Sequence, residues 1–210
     1  MPDLNDKMRD TLIIAGSYRS NSESLRISQW INRELYQGQA AVIDLHALAL
    51  PLWDGGSLSD ADMAAAIEQW QQSVEQARQL VIVAPEWHGS APAALKNALQ
   101  WSLLGSLAHK PCLLVGISAA VGGAFAISDI RASCYKNSRL LFLPEHIILR
   151  NVTDLWSLDH TDHQTPTEQE QYLRQRLQYA TDQLTTYGAA LGAVRAELLQ
   201  GLEQFPNGMS

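Results

Sequence analysis

The chain has 210 residues, 46% of them hydrophobic, enough to bury one sizeable core and, by length, to form one domain. A net charge of −7 with no basic run excludes a nucleic-acid footprint, and no stretch approaches the ~20 apolar residues of a membrane span. The N-terminal MPDLNDKMRD is polar and lacks the apolar segment of a secretory signal, so the cytoplasm is the expected compartment; Cys112 and Cys134 are expected as plain buried thiols.

Thr11-Leu12-Ile13-Ile14-Ala15 reads as the first strand, left by the hydroxyl-rich loop Gly16-Ser17-Tyr18-Arg19-Ser20-Asn21-Ser22. Leu25, Ile27, Trp30, Ile31 and Leu35 then fit a helix over residues 22–36, closed by Gly38. A second strand follows near Ala41-Val42-Ile43-Asp44. Residues 45–58, with Pro51, Trp53, Gly55 and Gly56, show no clear periodicity and predict a surface loop long enough to cover a site. Ser59 and Asp62 resemble a capping box that opens a helix to about Gln79.

Residues 80–84, Leu-Val-Ile-Val-Ala, suit a strand buried on both faces of a parallel sheet, and Pro85, lacking an N–H, is expected to end its pairing. A polar and aromatic turn, Glu86-Trp87-His88-Gly89-Ser90, leads to Pro92 in a first helical turn, and Ala94, Leu95, Ala98, Leu99 and Trp101 recur at helical spacing. PCLLVGIS, residues 111–118, is a fourth strand. Its exit through Gly122 and Gly123 leads to a helix over residues 124–137, and a fifth strand lies within 140–149, interrupted by Pro144. Strands alternating with helices predict a parallel sheet covered on both faces.

Thr165 as N-cap, Pro166 and Glu168 mark the start of the last helix. Leu173, Leu177, Ala180, Leu184, Tyr187, Leu191, Val194 and Leu198 form a heptad-like stripe longer than covering the sheet requires. Two readings stand: two helices broken near Gly188 and folded on their own domain, or an oligomer contact over residues 185–202. Asp159-His160-Thr161-Asp162-His163 has superficial metal-ligand spacing without a second cluster, so no metal is expected.

No G-x-G-x-x-G follows the first strand and no G-x-x-x-x-G-K-[ST] occurs, which disfavours a dinucleotide-binding Rossmann site and a P-loop. The chain carries no carboxylate pair and no Ser/His/Asp order that would point to hydrolysis.

PEWHGSAPAALKNALQW resembles the PEYNxSxPGxLKNAxDW signature of the NADPH-dependent FMN reductases, a flavodoxin-like group that includes quinone, azo-dye and chromate reductases. Gly16, Ser17, Arg19 and Ser22 match GSxRxxS, and Ser118, Gly122 and Gly123 match part of SPGxxGGxRA. His88 stands where Asn is usual, Ala93 where Gly is, and Phe125 where Arg is.

The resemblance implies a three-layer α/β/α sandwich with five parallel strands in the order 2-1-3-4-5, spanning residues 1–210 as one FMN-binding domain with an extended C-terminal helix over about 165–202. It implies FMN as cofactor, and NADPH or NADH as co-substrate. A ping-pong transfer of hydride to a small acceptor would follow: a quinone, azo compound, free flavin or oxidised metal. A homodimer or homotetramer is also implied. Ser17, Arg19, Ser20, Asn21 and Ser22 would serve the phosphate, through hydroxyls, a guanidinium fork and N–H groups at a helix N-terminus. Backbone of Pro85, Glu86, Trp87, His88, Gly89 and Ser90 would meet the flavin ring, and in the segment of Ser118, Gly122 and Gly123 the glycines would allow close backbone approach to it. Trp87 would lie on the ring or simply pack; His88 would bond the flavin or point to solvent. The other class of reading is a flavin-binding electron carrier or redox-responsive interaction protein without turnover.

Overall fold

The computed structural model describes residues 10–56, 61–156 and 165–207. Ser59 and Asp60 of the expected capping box, and the Asp159 to His163 run, lie outside the described residues. Five parallel strands, β1 (Thr11–Ala15), β2 (Ala41–Asp44), β3 (Gln79–Pro85), β4 (Pro111–Ile117) and β5 (Leu141–Leu149), pair in the order β2-β1-β3-β4-β5.

Alternation along each strand divides the core in two. Leu12, Ile14, Leu80, Ile82, Cys112 and Leu114 face one side, under helices α3 (Ala61–Gln76), α4 (Ala93–Gln100) and α5 (Ala124–Ser133). Ile13, Val81, Val83, Leu113 and Val115 face the other, under α1 (Glu23–Leu35) and α6 (Glu168–Leu198). The result is the expected three-layer sandwich.

Boundaries moved where distant partners decide them. Asp44 caps a one-turn helix, α2 (Leu45–Leu48), inside the segment expected to be loop, by accepting the His46 N–H at 3.0 Å. Helix α3 stops at Gln76 because Gln79 already pairs with Thr11. Pairing of β3 ends at Pro85, as expected, one residue beyond the apolar run. The Glu86 N–H bonds Ile117 of β4, so the Pro85 nitrogen points by alternation toward β1, which has already turned away after Ala15. Pro92 is the N-cap of α4 and lies outside its first turn, Trp101 is the C-cap, and α5 ends at Ser133, short of Asn137. Cys134, at the end of α5, is half-buried, whereas Cys112 is buried; loss of solvent raises both thiols above their usual range.

Between the pairs Cys112 with Phe142 and Leu114 with His146, β5 carries two extra residues around Pro144. Arg131 of α5 takes up the carbonyls that this bulge frees, those of Leu143, Pro144 and Glu145.

Helix α6 is capped by Thr167, two residues later than expected: Thr167 and Glu170 form the reciprocal capping box, which leaves Pro166 before the helix. The helix runs unbroken through Gly188, against the two-helix reading. A Cβ at Gly188 would lie 2.1 Å from Gln79 Oε1, so the glycine serves close packing. Beyond it, Arg195 donates to the carbonyls of Gly105, Ser106 and Ala108, seating part of the expected oligomer segment on its own chain. Tyr187, Val194 and Leu198 remain exposed.

Helix α3 has no basic residue in its last turn, and Lys110 supplies one from the start of β4. Its buried Nζ donates to Val74 O at 2.6 Å and Glu75 O at 3.2 Å. Burial, with Arg195 nearby, lowers its pKa to about 8, from an ordinary value of 10.5. Between those values the unfolded chain holds more protons than the folded one, so this group adds stability as pH rises. Lys110→Met is expected to remove that rise. The check is the difference in urea midpoint between variant and wild type at pH 7.5 and 9.5, in which the two thiols cancel.

Candidate active site

The carboxyl ends of β1, β3 and β4 share one rim, where ligands of open α/β sheets bind. Two clefts lie there side by side. One, of about 500 Å³, takes Ser17, Arg19, Asn21, Ser22, Pro85, Glu86, Trp87 and Ser118 from the predicted set. The other, of about 790 Å³, lies toward β2 and takes His88 and Ser90, sharing Ser17, Arg19 and Trp87 with the first. Ser20, Gly89, Gly122 and Gly123 line neither.

The first loop is built for an anion. Gly16 passes so close to β3 that a Cβ would stand 2.9 Å from Val83 O, and its N–H bonds that oxygen at 2.9 Å. Ser17 Oγ, buried, accepts the Arg19 N–H at 3.1 Å, and Asn21, at φ 49°, turns the chain into α1. Ser22 is the N-cap and accepts from Leu25 N–H at 3.2 Å, while its hydroxyl and that of Ser24 stand 3.0 Å apart. The N–H groups of Glu23 and Ser24 have no acceptor among the described residues, and the helix macrodipole favours negative charge there.

Glu23 would repel an anion, but Arg26 holds its carboxylate at 2.6 Å. The rest of that guanidinium donates to the carbonyls of Val152, Leu155 and Trp156, drawing the 3₁₀ turn Val152–Asp154 to the cleft. Val152 and Thr153 were not legible as site residues, because contacts across the fold bring them in, this one and the Val152 N–H bond to Ser118 O at 3.0 Å. Arg19 is the one cation lining either cleft among the described residues, its guanidinium carbon 5.1 Å from the Trp87 ring centre.

In the central loop, His88 and Gly89 both have left-handed backbones, φ 49° and 71°, and Trp87 and Ser90 exchange backbone hydrogen bonds around them. This conformation suits Asn as well as Gly, a physical reason for the usual Asn at His88. The His88 and Gly89 N–H groups have no acceptor among the described residues, so both remain available as donors from this loop.

Glu86 differs from its expected part. Its N–H is spent on Ile117, and its carboxylate accepts the N–H groups of Gly123 at 2.7 Å and Phe125 at 2.9 Å, capping α5. Gly122 and Gly123 are closely packed: a Cβ at Gly122 would meet Glu86 Oε1 at 2.9 Å, and one at Gly123 would meet Ile148 at 2.9 Å. Ser118 organises the same turn, its hydroxyl accepting from Ala120 at 3.1 Å and Gly122 at 3.3 Å. Phe125 lies exposed at the start of α5. Glu86→Ala is expected to lower stability by about 1–2 kcal/mol through loss of this charged cap, and Glu86→Gln by less, as read by denaturant midpoints.

Asp129 of α5 braces the neighbouring turn, accepting Ala91 N–H at 3.0 Å and Lys96 Nζ at 2.8 Å. The Lys96 hydrogen bond holds its carboxyl below the usual range.

The family model of the NADPH-dependent FMN reductases matches residues 10–154, which contain every loop described above. The chain belongs to this family. Membership makes it an oxidoreductase that works with FMN and a reduced nicotinamide nucleotide. The quinone reductase of Escherichia coli K12 is 27% identical over 91% of this chain and its own full length. An NADPH azoreductase of a Bacillus species is 27% identical over 66% of this chain and 75% of its own. In fold, the reductase matches the flavoenzyme NAD(P)H:(acceptor) oxidoreductase FerB of Paracoccus denitrificans, with a TM-score of 0.64 at 20% identity over 86% of this chain and 97% of the other.

The donor set fits the mononucleotide. Arg19, laid over Trp87, the capped N-terminus of α1 and the Ser22 and Ser24 hydroxyls give the smaller cleft its anion donors. Ile117, Ala119 and Ala120 offer apolar surface in the same cleft. No helix among the described residues is long and apolar enough to cross a membrane.

Proposed function

We propose that this reductase moves a hydride from NADPH or NADH to FMN held in the smaller cleft, and from there to a small organic acceptor, in a ping-pong cycle. FMN supplies the atom that takes and gives the hydride. The chain's own residues bind and orient: Ser17, Arg19, Asn21 and Ser22 the phosphate, and the 85–90 turn with Ser118 the ring. The supporting observation is the make-up of this cleft, which joins Arg19, hydroxyls and the N-terminus of α1 to the apolar surface of Ile117, Ala119 and Ala120. No acid or base needs to stand out when the cofactor carries the reaction.

The reading takes residues 1–210 as one flavin-binding domain and the assembly as a homodimer or homotetramer, with exposed Tyr187, Val194 and Leu198 of α6 available to a neighbour. The quinone and azo reductases among its relatives support acceptors of those kinds. Purified protein is expected to be yellow or to become so with FMN, and anaerobic NADPH or NADH to bleach the flavin bands. Bands that persist would favour an electron carrier, and no bands at all would overturn the assignment.

A further inference from the structure

We propose that the larger cleft is a separate binding site for an uncharged planar ring compound, and that Asn97 and Trp101 are the positioning residues that hold its wall. The inference extends the proposed function beyond the flavin cleft.

The wall is the segment 49–53, which leaves α2 through Ala49 at φ 50° and has no helix or strand of its own. Two side chains of the α4 region fix it. Asn97 Nδ2 donates to Pro51 O at 2.7 Å while its Oδ1 accepts Trp53 N–H at 2.8 Å, and Trp101 Nε1 donates to the same Pro51 O at 2.8 Å. Both side chains are buried, Asn97 at 9% and Trp101 at 5% exposure. A buried amide that satisfies a loop on both of its ends sets where that loop stands, because either end left unpaired carries a desolvation cost.

What the wall encloses selects the ligand. Among the described residues the cleft has no carboxylate, and its one cation, Arg19, is turned over Trp87. Leu50, Pro51, Met63, Trp87 and Pro92 present apolar and aromatic surface. A charged ligand therefore finds little to replace its water, whereas a flat uncharged ring loses little and gains contact area. Because Trp87 lines both clefts, such a ring would lie against the loop that meets the flavin.

The test is calorimetric titration of the chain, with and without FMN, with 2,3-dimethyl-1,4-naphthoquinone, whose substituted quinone ring leaves no open carbon for Cys134 to attack. Asn97→Leu keeps the volume and loses two of the three hydrogen bonds, so naphthoquinone affinity is expected to fall about tenfold or more while FMN affinity holds. Asn97→Asp, which keeps the acceptor for Trp53 N–H, should fall between, and Trp101→Phe should act more weakly than Asn97→Leu. No naphthoquinone binding by the wild type, competition with FMN, or equal binding by Asn97→Leu would each overturn the inference. Naphthoquinone binding by a chain that refuses FMN would support this cleft and sink the flavin assignment instead.

Discussion

Replacing Arg19 by alanine is expected to weaken FMN binding by about 10- to 150-fold, the loss of a charge-assisted pair worth about 1.5–3 kcal/mol. The reasoning starts from scarcity. Arg19 is the one cation lining either rim cleft among the described residues, and the other donors at the phosphate end are neutral hydroxyls and backbone N–H groups. Among the described residues its side chain makes no ion pair, and it rests on Trp87, so removing it strands no carboxylate there. Unfolding midpoints of the FMN-free protein should hardly move. Arg19→Lys keeps the charge without the fork and should lie between. Fluorescence titration of FMN, which is quenched on binding, reads all three proteins. An unchanged affinity in Arg19→Ala would mean that the phosphate sits elsewhere.

The second large effect belongs to the fold beneath the site. Gly116→Ala in β4 is expected to cost at least about 3 kcal/mol, or a fall in Tm of roughly 6–12 °C. The new Cβ would lie 2.3 Å from the carbonyl oxygen of Gly123 and 3.0 Å from Ile127. The first of these is backbone, and Gly123 cannot retreat easily: its N–H is held by Glu86, and Ile148 packs against it. The strain therefore passes into the turn of Ser118 to Gly123 that edges the smaller cleft. Thermal unfolding checks the stability, and FMN affinity should fall with it. A variant as stable as wild type would show that the turn before α5 can move away from β4 at little cost.

What could be read from the sequence was local. β1, β2 and β4 stand out because continuous apolar runs between polar turns have few alternatives, and the hydroxyls after β1 announce an anion loop. The signals that misled were also local. Thr165 with Pro166 and Glu168 is as good a cap on paper as Thr167 with Glu170, but only the second carboxylate also reaches Trp156 N–H, at 2.8 Å, and that distant bond decides the register. Gly188 looked like a breaker because a sequence does not show Gln79 pressing on it.

In the site, the same division holds. Ser17, Arg19 and Ser22 were legible from neighbours two or three residues away. The work of Glu86 was not, since the N–H groups it caps lie 37 and 39 residues further on. Trp101 read as one more apolar position on a helix, when its indole N–H and the Asn97 amide reach back about fifty residues to hold the 49–53 wall.

Everything functional here hangs on a phosphate seated on the loop after β1, and comparison of FMN with riboflavin asks that question alone. Titrated into the same FMN-free protein, FMN should bind one per chain, and riboflavin, identical but for the missing phosphate, about 100-fold more weakly. Equal affinities, or no saturable binding of either, would contradict the account.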